Sequence, residues 1–188
     1  MPTRSFCGGF KELNGAAGGK IKMNDAIHGS GINVSIFSCS TPQHWMAAKR
    51  ITNTYVEWLA IDLSFQNIRA EMNRFEQEYG LPKGCYLIAV LNGSLAGGVG
   101  LRKLENDICE MKRLYVFDEF KGKGIGRKLC QALIQRADAF GYQTMRLDTL
   151  ERLESANRLY ETMGFYDIPA YRENPEPGAR YMEYRIQK

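Results

Sequence analysis

Apolar positions along the chain keep one of two spacings, and the switches between them mark out the elements. Residues 32–38 alternate apolar and polar as far as Phe37, which predicts a strand. Thr41 followed by Pro42 reads as an N-cap with proline at the first helical position. Trp45, Ala48, Thr52, Tyr55 and Leu59 then recur at helical spacing, so a helix is expected through Leu59. Asp62 and Ser64 are the next capping candidates, and a second helix is expected to about Tyr79, stopped by Gly80 and Pro82. The apolar run 85–91 predicts a strand, and Asn92-Gly93 is the dipeptide favoured in a type I′ hairpin turn. The returning strand over 94–101 is weakened by Gly97, Gly98 and Gly100. Residues 108–117 predict a long strand. Ile125, Leu129, Leu133, Ala137 and Phe140 then form one stripe of a helix over 122–140, closed by Gly141. A short strand over 144–149 follows. Asp148 and Glu151 suggest a capping-box-like start for a last helix, buried through Leu153, Ala156, Tyr160 and Met163 and ended by Gly164. Met182, Tyr184 and Ile186 alternate with Glu183 and Arg185 in a closing strand.

Hairpins next to helical crossovers imply a single α/β domain with a mixed, mostly antiparallel sheet flanked by helices. A chain of 188 residues has room for one such core. Residues 1–30 keep no apolar period and crowd six glycines, from Gly8 to Gly29, so they read as a disordered or loosely attached tail before a domain over 31–188. Met23 precedes the first strand closely, and a chain beginning there is expected to fold. A hydrophobic fraction of 44% and a charged fraction of 24% exclude collagen-like, coiled-coil and wholly disordered chains. Mean hydropathy is −0.36, and no apolar run approaches the ~20 residues of a membrane span, so no membrane partner is expected.

A net charge of +4 suits a small anionic ligand. It is not the basic stripe of a nucleic-acid binder; only the cluster at 121–128 approaches one. The five cysteines have no metal-ligand spacing and read as free thiols of a reducing, cytoplasmic compartment. Cys109 adjoins Glu110, but neighbours on a strand face opposite ways, so it reads as a small buried hydrophobe rather than a nucleophile. His28 and His44 lack partners at ligand spacing, and no metal is expected.

The segment from Leu114 to Arg127 carries the chemistry. A strand ends, Gly122, Gly124 and Gly126 follow, and an amphipathic helix begins. Unpaired N–H groups and a partial positive charge at a helix start bind phosphates, and glycines admit the anion to the backbone. Lys121, Lys123 and Arg127 add charge at the same mouth. By itself the loop is equally a plain strand–helix turn. A dinucleotide fingerprint needs a third glycine where Arg127 stands, and no Walker-type loop is present.

The run Lys121 to Gly126 resembles the Gln/Arg-x-x-Gly-x-Gly/Ala signature of the GNAT superfamily of acyl-CoA-dependent N-acetyltransferases, with Lys121 in the first position. Leu114-Tyr115-Val116 is similar to the Leu-x-Val that precedes that signature. Ala156-Asn-Arg-Leu-Tyr160-Glu-Thr-Met-Gly164-Phe165 resembles the family's Ala-x-x-Leu-Tyr-x-x-x-Gly-Phe. Asp118 replaces a common proline, and Leu153 replaces an asparagine that often contacts the cofactor. The resemblance implies acetyl-CoA as cosubstrate, held by Leu114, Tyr115, Val116, Lys121, Gly122, Lys123, Gly124, Ile125, Gly126, Arg127 and Asn157. It implies direct attack by a primary amine of a small molecule or peptide, in a monomer or homodimer. An amine of pKa near ~10 is mostly protonated at pH 7 and needs a base. Glu110 is the implied base, acting through water, and Tyr160 the implied acid for the leaving thiolate. The acceptor region implied by the family supplies Asp62, Phe65, Arg113, Tyr171 and Arg172, with Trp58, Gln66 and Tyr181 nearby. The rival reading is a non-catalytic acyl-CoA-binding or sensing domain, which needs neither Glu110 nor Tyr160.

Overall fold

In the computed structural model, residues 34–187 are described; the expected tail over 1–30 lies outside them. The strands are Val34–Ser38 (β1), Cys85–Leu91 (β2), Ser94–Lys103 (β3), Ile108–Val116 (β4), Thr144–Leu150 (β5), Tyr166–Asp167 (β6) and Ala179–Arg185 (β7). The helices are Pro42–Leu59 (α1), Ile68–Asn73 (α2), Phe75–Glu78 (α3), Ile125–Ala139 (α4) and Glu154–Thr162 (α5). One sheet takes all seven strands in the order β1-β2-β3-β4-β5-β7-β6. Every pairing is antiparallel except β4 with β5. This is the mixed, mostly antiparallel sheet that the element order implies.

Local signals act largely as expected. Thr41 Oγ1 accepts the His44 N–H at 3.2 Å and starts α1. Asn92 and Gly93 both take positive φ, at 50° and 80°, which closes the β2–β3 hairpin with the twist of its strands. The glycines of β3 leave room for aromatic rings: a Cβ at Gly98 would strike Tyr86, and one at Gly100 would strike Tyr79.

Two expectations change. The helix expected up to Tyr79 is broken into a 3-10 turn over Ser64–Gln66, then α2, then α3. Asp62 ties down the turn by accepting from Ser64 N and Oγ at 2.8 and 2.9 Å, and Asn67 at φ 54° cannot continue a helical path. Nor do Asp148 and Glu151 cap α5. Strand β5 runs on to Leu150 and takes Asp148 into the sheet, and α5 begins after Leu153 without a side-chain cap.

Alternation along the strands separates two layers. Leu87, Val99, Leu101, Cys109, Met111, Met145, Leu147 and Met182 pack with Ile125, Leu129, Leu133 and Ala137 of α4. Tyr86, Ile88 and Tyr115 face the other way, toward Ala48 and Ile51 of α1 and toward Phe75 and Tyr79. Burying each of the Val, Leu, Ile, Met and Phe side chains among them contributes ~1.5–3 kcal/mol.

Two irregularities in β4 position the site. The parallel ladder with β5 holds only from Ile108↔Thr144 to Glu110↔Arg146, and no pairing follows. On the other side β4 carries one residue more than β3 between Gly98↔Tyr115 and Gly100↔Lys112. Arg113 lies in that bulge at φ 58°.

Candidate active site

Where β4 and β5 stop pairing, a cleft of about 750 Å³ opens between them, and the start of α4 stands at its mouth. Leu114, Tyr115, Val116, Lys121, Gly122, Gly124, Ile125, Gly126 and Arg127 all line it. Gly124 holds φ 73° at the N-cap of α4 and supplies no side chain there, so the first-turn N–H groups are left for a ligand. Lys121 Nζ lies 4.8 Å from the centre of the Trp58 ring and 5.8 Å from that of Tyr115. Arg127 is braced by a 2.7 Å hydrogen bond to Thr162 Oγ1. Lys123 is absent from the lining; its ammonium donates to the Glu119 carbonyl at 3.0 Å.

Helix α5 carries Tyr160 into the same cleft. Its ring packs on Phe165 with centroids 5.7 Å apart, and burial pushes its phenol well above the ordinary tyrosine value. Asn157, on the same helix, turns away. Its amide accepts from Thr149 Oγ1 at 3.1 Å and donates to the Leu150 and Glu151 carbonyls at 2.9 and 3.1 Å, which pins the end of β5 to α5. Burial raises the thiols of Cys39, Cys85, Cys109 and Cys130 to about 12, so none is a thiolate at neutral pH.

On the α1 face, β4 and β5 carry charges in the interior. Glu110 is fully buried and lies outside the cleft lining. Its carboxylate accepts from Arg102 Nε at 2.9 Å and Tyr171 Oη at 2.8 Å, and it also pairs with Arg172. Tyr171 and Arg172 thus fasten the loop between β6 and β7 to β4. Arg113 lines the cleft but is bound to Glu71 by two bonds, 2.9 Å from Nε and 2.7 Å from Nη2. Burial alone would raise the Glu71 carboxyl, but the Arg113 bonds and charge and the Tyr79 hydroxyl outweigh it and hold the group below its usual value. Lys112 and Asp148 form a second buried pair at 3.3 Å. Asp62 is exposed and spent on its turn, while Phe65 lines a second pocket of about 40 Å³ beside Lys112 and Asp148.

The structure therefore gathers Tyr160, Arg113 and the glycine loop around one cleft, and leaves Glu110, Asn157, Asp62, Tyr171 and Arg172 outside it. Sequence reasoning read Asp148 only as a cap and passed over Lys112 and Glu71 as site residues. For Lys112 and Asp148 the available signal was polar residues at every second position of β4 and β5; Glu71, on α2, carried no such signal.

The sequence pattern of the acetyltransferase (GNAT) family matches residues 52–165. The chain belongs to the GNAT acetyltransferase family. A relative from Schizosaccharomyces pombe, an uncharacterised N-acetyltransferase, is 36% identical over 158 residues, covering 83% of this chain and 97% of that one. Human N-acetylaspartate synthetase is 32% identical over 134 residues, covering 64% of this chain and 44% of that longer protein. A protein from Salmonella typhimurium, solved with its cofactor acetyl-CoA, shares the GNAT fold. Its TM-score is 0.60 at 20% identity, over 82% of this chain and 95% of that one. The chain is accordingly an N-acetyltransferase.

Proposed function

We propose that this N-acetyltransferase moves an acetyl group from acetyl-CoA to a primary amine by direct attack. One observation carries the reading: the half of β4 unpaired with β5, the uncapped start of α4 and Tyr160 share a single cleft. The residues present fit the cosubstrate. Free N–H groups at α4, with Lys121 and Arg127 beside them, suit a pyrophosphate. The β4 edge beyond Glu110 offers backbone donors and acceptors to an extended amide-bearing arm.

When bound, acetyl-CoA supplies an acyl carbon activated by its thioester and a thiolate that leaves. A β4 N–H between Leu114 and Val116 stabilises negative charge as it develops on the acyl oxygen. Tyr160 stays protonated because burial disfavours its phenolate, and it delivers that proton to the departing sulfur; the amine attacks as its free base, and the protons it sheds pass to water in the cleft, one of them restoring the phenol. Glu110, held by Arg102, Arg172 and Tyr171, anchors the loop that borders the acceptor side.

Calorimetric titration with acetyl-CoA, followed by thiol release across an amine panel, tests the proposal. Saturable binding at ~1–100 μM is expected. Tyr160→Phe should lower kcat about 100-fold with acetyl-CoA affinity kept within about twofold. Binding without turnover on any amine would favour the acyl-CoA sensor instead.

A further inference from the structure

Two spaces meet at one ion pair. Past the end of the ladder at Glu110 and Arg146, the next residues on that face are Lys112 and Asp148, and their side chains bridge the gap at 3.3 Å. Those side chains are only 3% and 5% exposed, yet both residues line the large cleft and the 40 Å³ pocket alike. The pocket has room for roughly one or two water-sized groups, such as a carboxylate, and none for a peptide chain.

Its polar atoms converge on the pair. Gln66 spans it, accepting from Lys112 Nζ at 2.9 Å and donating to Asp148 at 2.8 Å. Asn174 adds a longer contact to Asp148 at 3.4 Å. A lysine ammonium has three N–H donors, and Gln66 and Asp148 take two, which leaves one for a ligand. Burial lowers Lys112 to about 8 despite the opposing pull of Asp148, so the ammonium gains from a further anion. Among the neighbouring cations, Arg113 is committed to Glu71 and Arg172 to Glu110, while Arg152 donates to the Leu59 carbonyl.

We infer that the acceptor is a primary amine bearing a carboxylate on the same or the adjacent carbon, with the carboxylate held by Lys112 and the ammonium by Asp148. Such a zwitterion sets two opposite charges against two opposite charges. A plain alkylamine gives Lys112 no partner, and a polyamine brings it a like charge. The inference rests on the acetyl-transfer reading of the same cleft.

The test is thiol release from acetyl-CoA with matched sets of acceptors: an amino acid, its carboxamide, and the amine left when the carboxylate is removed. Glycine, glycinamide and methylamine make one set, and larger side chains make the others. The carboxamide carries the less basic amine, so amine reactivity alone favours it. In at least one set, kcat/KM is expected to be at least tenfold higher for the amino acid than for both partners. Lys112→Gln should compress that ratio to within about threefold, whereas a purely structural role would depress all three acceptors together. The series on the unmodified enzyme decides the matter even if the variant folds poorly. Equal or better turnover of the carboxamide or the simple amine in every set overturns the inference and leaves acetyl transfer standing. Acetyl-CoA binding with no turnover of any amine overturns both.

Discussion

The central strands show one chemistry to α4 and another to α1. Toward α4, β4 and β5 present Cys109, Met111, Met145 and Leu147, all within one apolar cluster. Toward α1 they present Glu110, Lys112, Arg146 and Asp148, joined by Arg113 through the bulge. Both layers are interior, but they contribute to the protein differently. The apolar face needs only volume and shape, and truncating a residue such as Leu133 to alanine costs ~2–5 kcal/mol. On the charged face, desolvation offsets much of what each ion pair gains, so an apolar pair of similar shape would serve stability as well or better. Of its members, Lys112, Arg113 and Asp148 border the cleft and the small pocket.

The largest effect that would sharpen this contrast comes from Glu71. Glu71→Ala leaves the Arg113 guanidinium buried without its anion, and a loss of ~3–5 kcal/mol is expected in denaturant unfolding. Glu71→Leu combined with Arg113→Met removes both charges and should recover most of that loss. A single variant that lost under ~1 kcal/mol would show that Arg113 is not left buried and unpaired, and a double variant that lost more than the single would make the charged face an ordinary stabilising layer.

The next effect lies at the cleft mouth. Gly124→Glu places a carboxylate at the start of α4, where the phosphates are proposed to bind, and acetyl-CoA affinity should fall at least 100-fold, or about 2.7 kcal/mol. A Cβ there meets open space, so the remaining cost is the positive φ, ~1–2 kcal/mol. Gly124→Asn separates charge from strain, because asparagine tolerates that conformation and should keep most of the affinity. Equal losses in both variants would assign the effect to backbone strain.

The glycine loop and the apolar face were legible because their signals are local. Periodicity marked α1, α4 and the strands, and the resemblance of Lys121–Gly126 to a family signature marked the loop. The charged face was not legible in the same way. Glu71 meets Arg113 across 42 residues and Gln66 meets Asp148 across 82, and nothing in the neighbourhood of either partner announces the other. Asp148 shows how this misleads: its spacing from Glu151 imitates a helix cap, while its partner stands on a neighbouring strand. Glu110 was found as a chemically apt residue, but the two arginines and the tyrosine that occupy it come from β3 and from a loop some 60 residues away.

Glu110→Gln therefore carries the smallest predicted change in turnover and the finest division of the charged face. Glutamine keeps the shape and can still accept from Tyr171, but it removes the charge that holds Arg102 and Arg172. If Glu110 anchors the loop, KM for the amine should rise, kcat should fall less than tenfold, and the pH profile of kcat/KM should keep its shape. A base acting through water would lose ~10²–10⁴-fold in kcat, and the acidic limb of the profile would disappear. Glu110→Asp strengthens the division: it retains a carboxylate but shortens its reach toward Arg102 and Tyr171. An anchoring role predicts that the aspartate variant behaves no better than glutamine, whereas a proton-accepting role predicts that aspartate restores much of the rate.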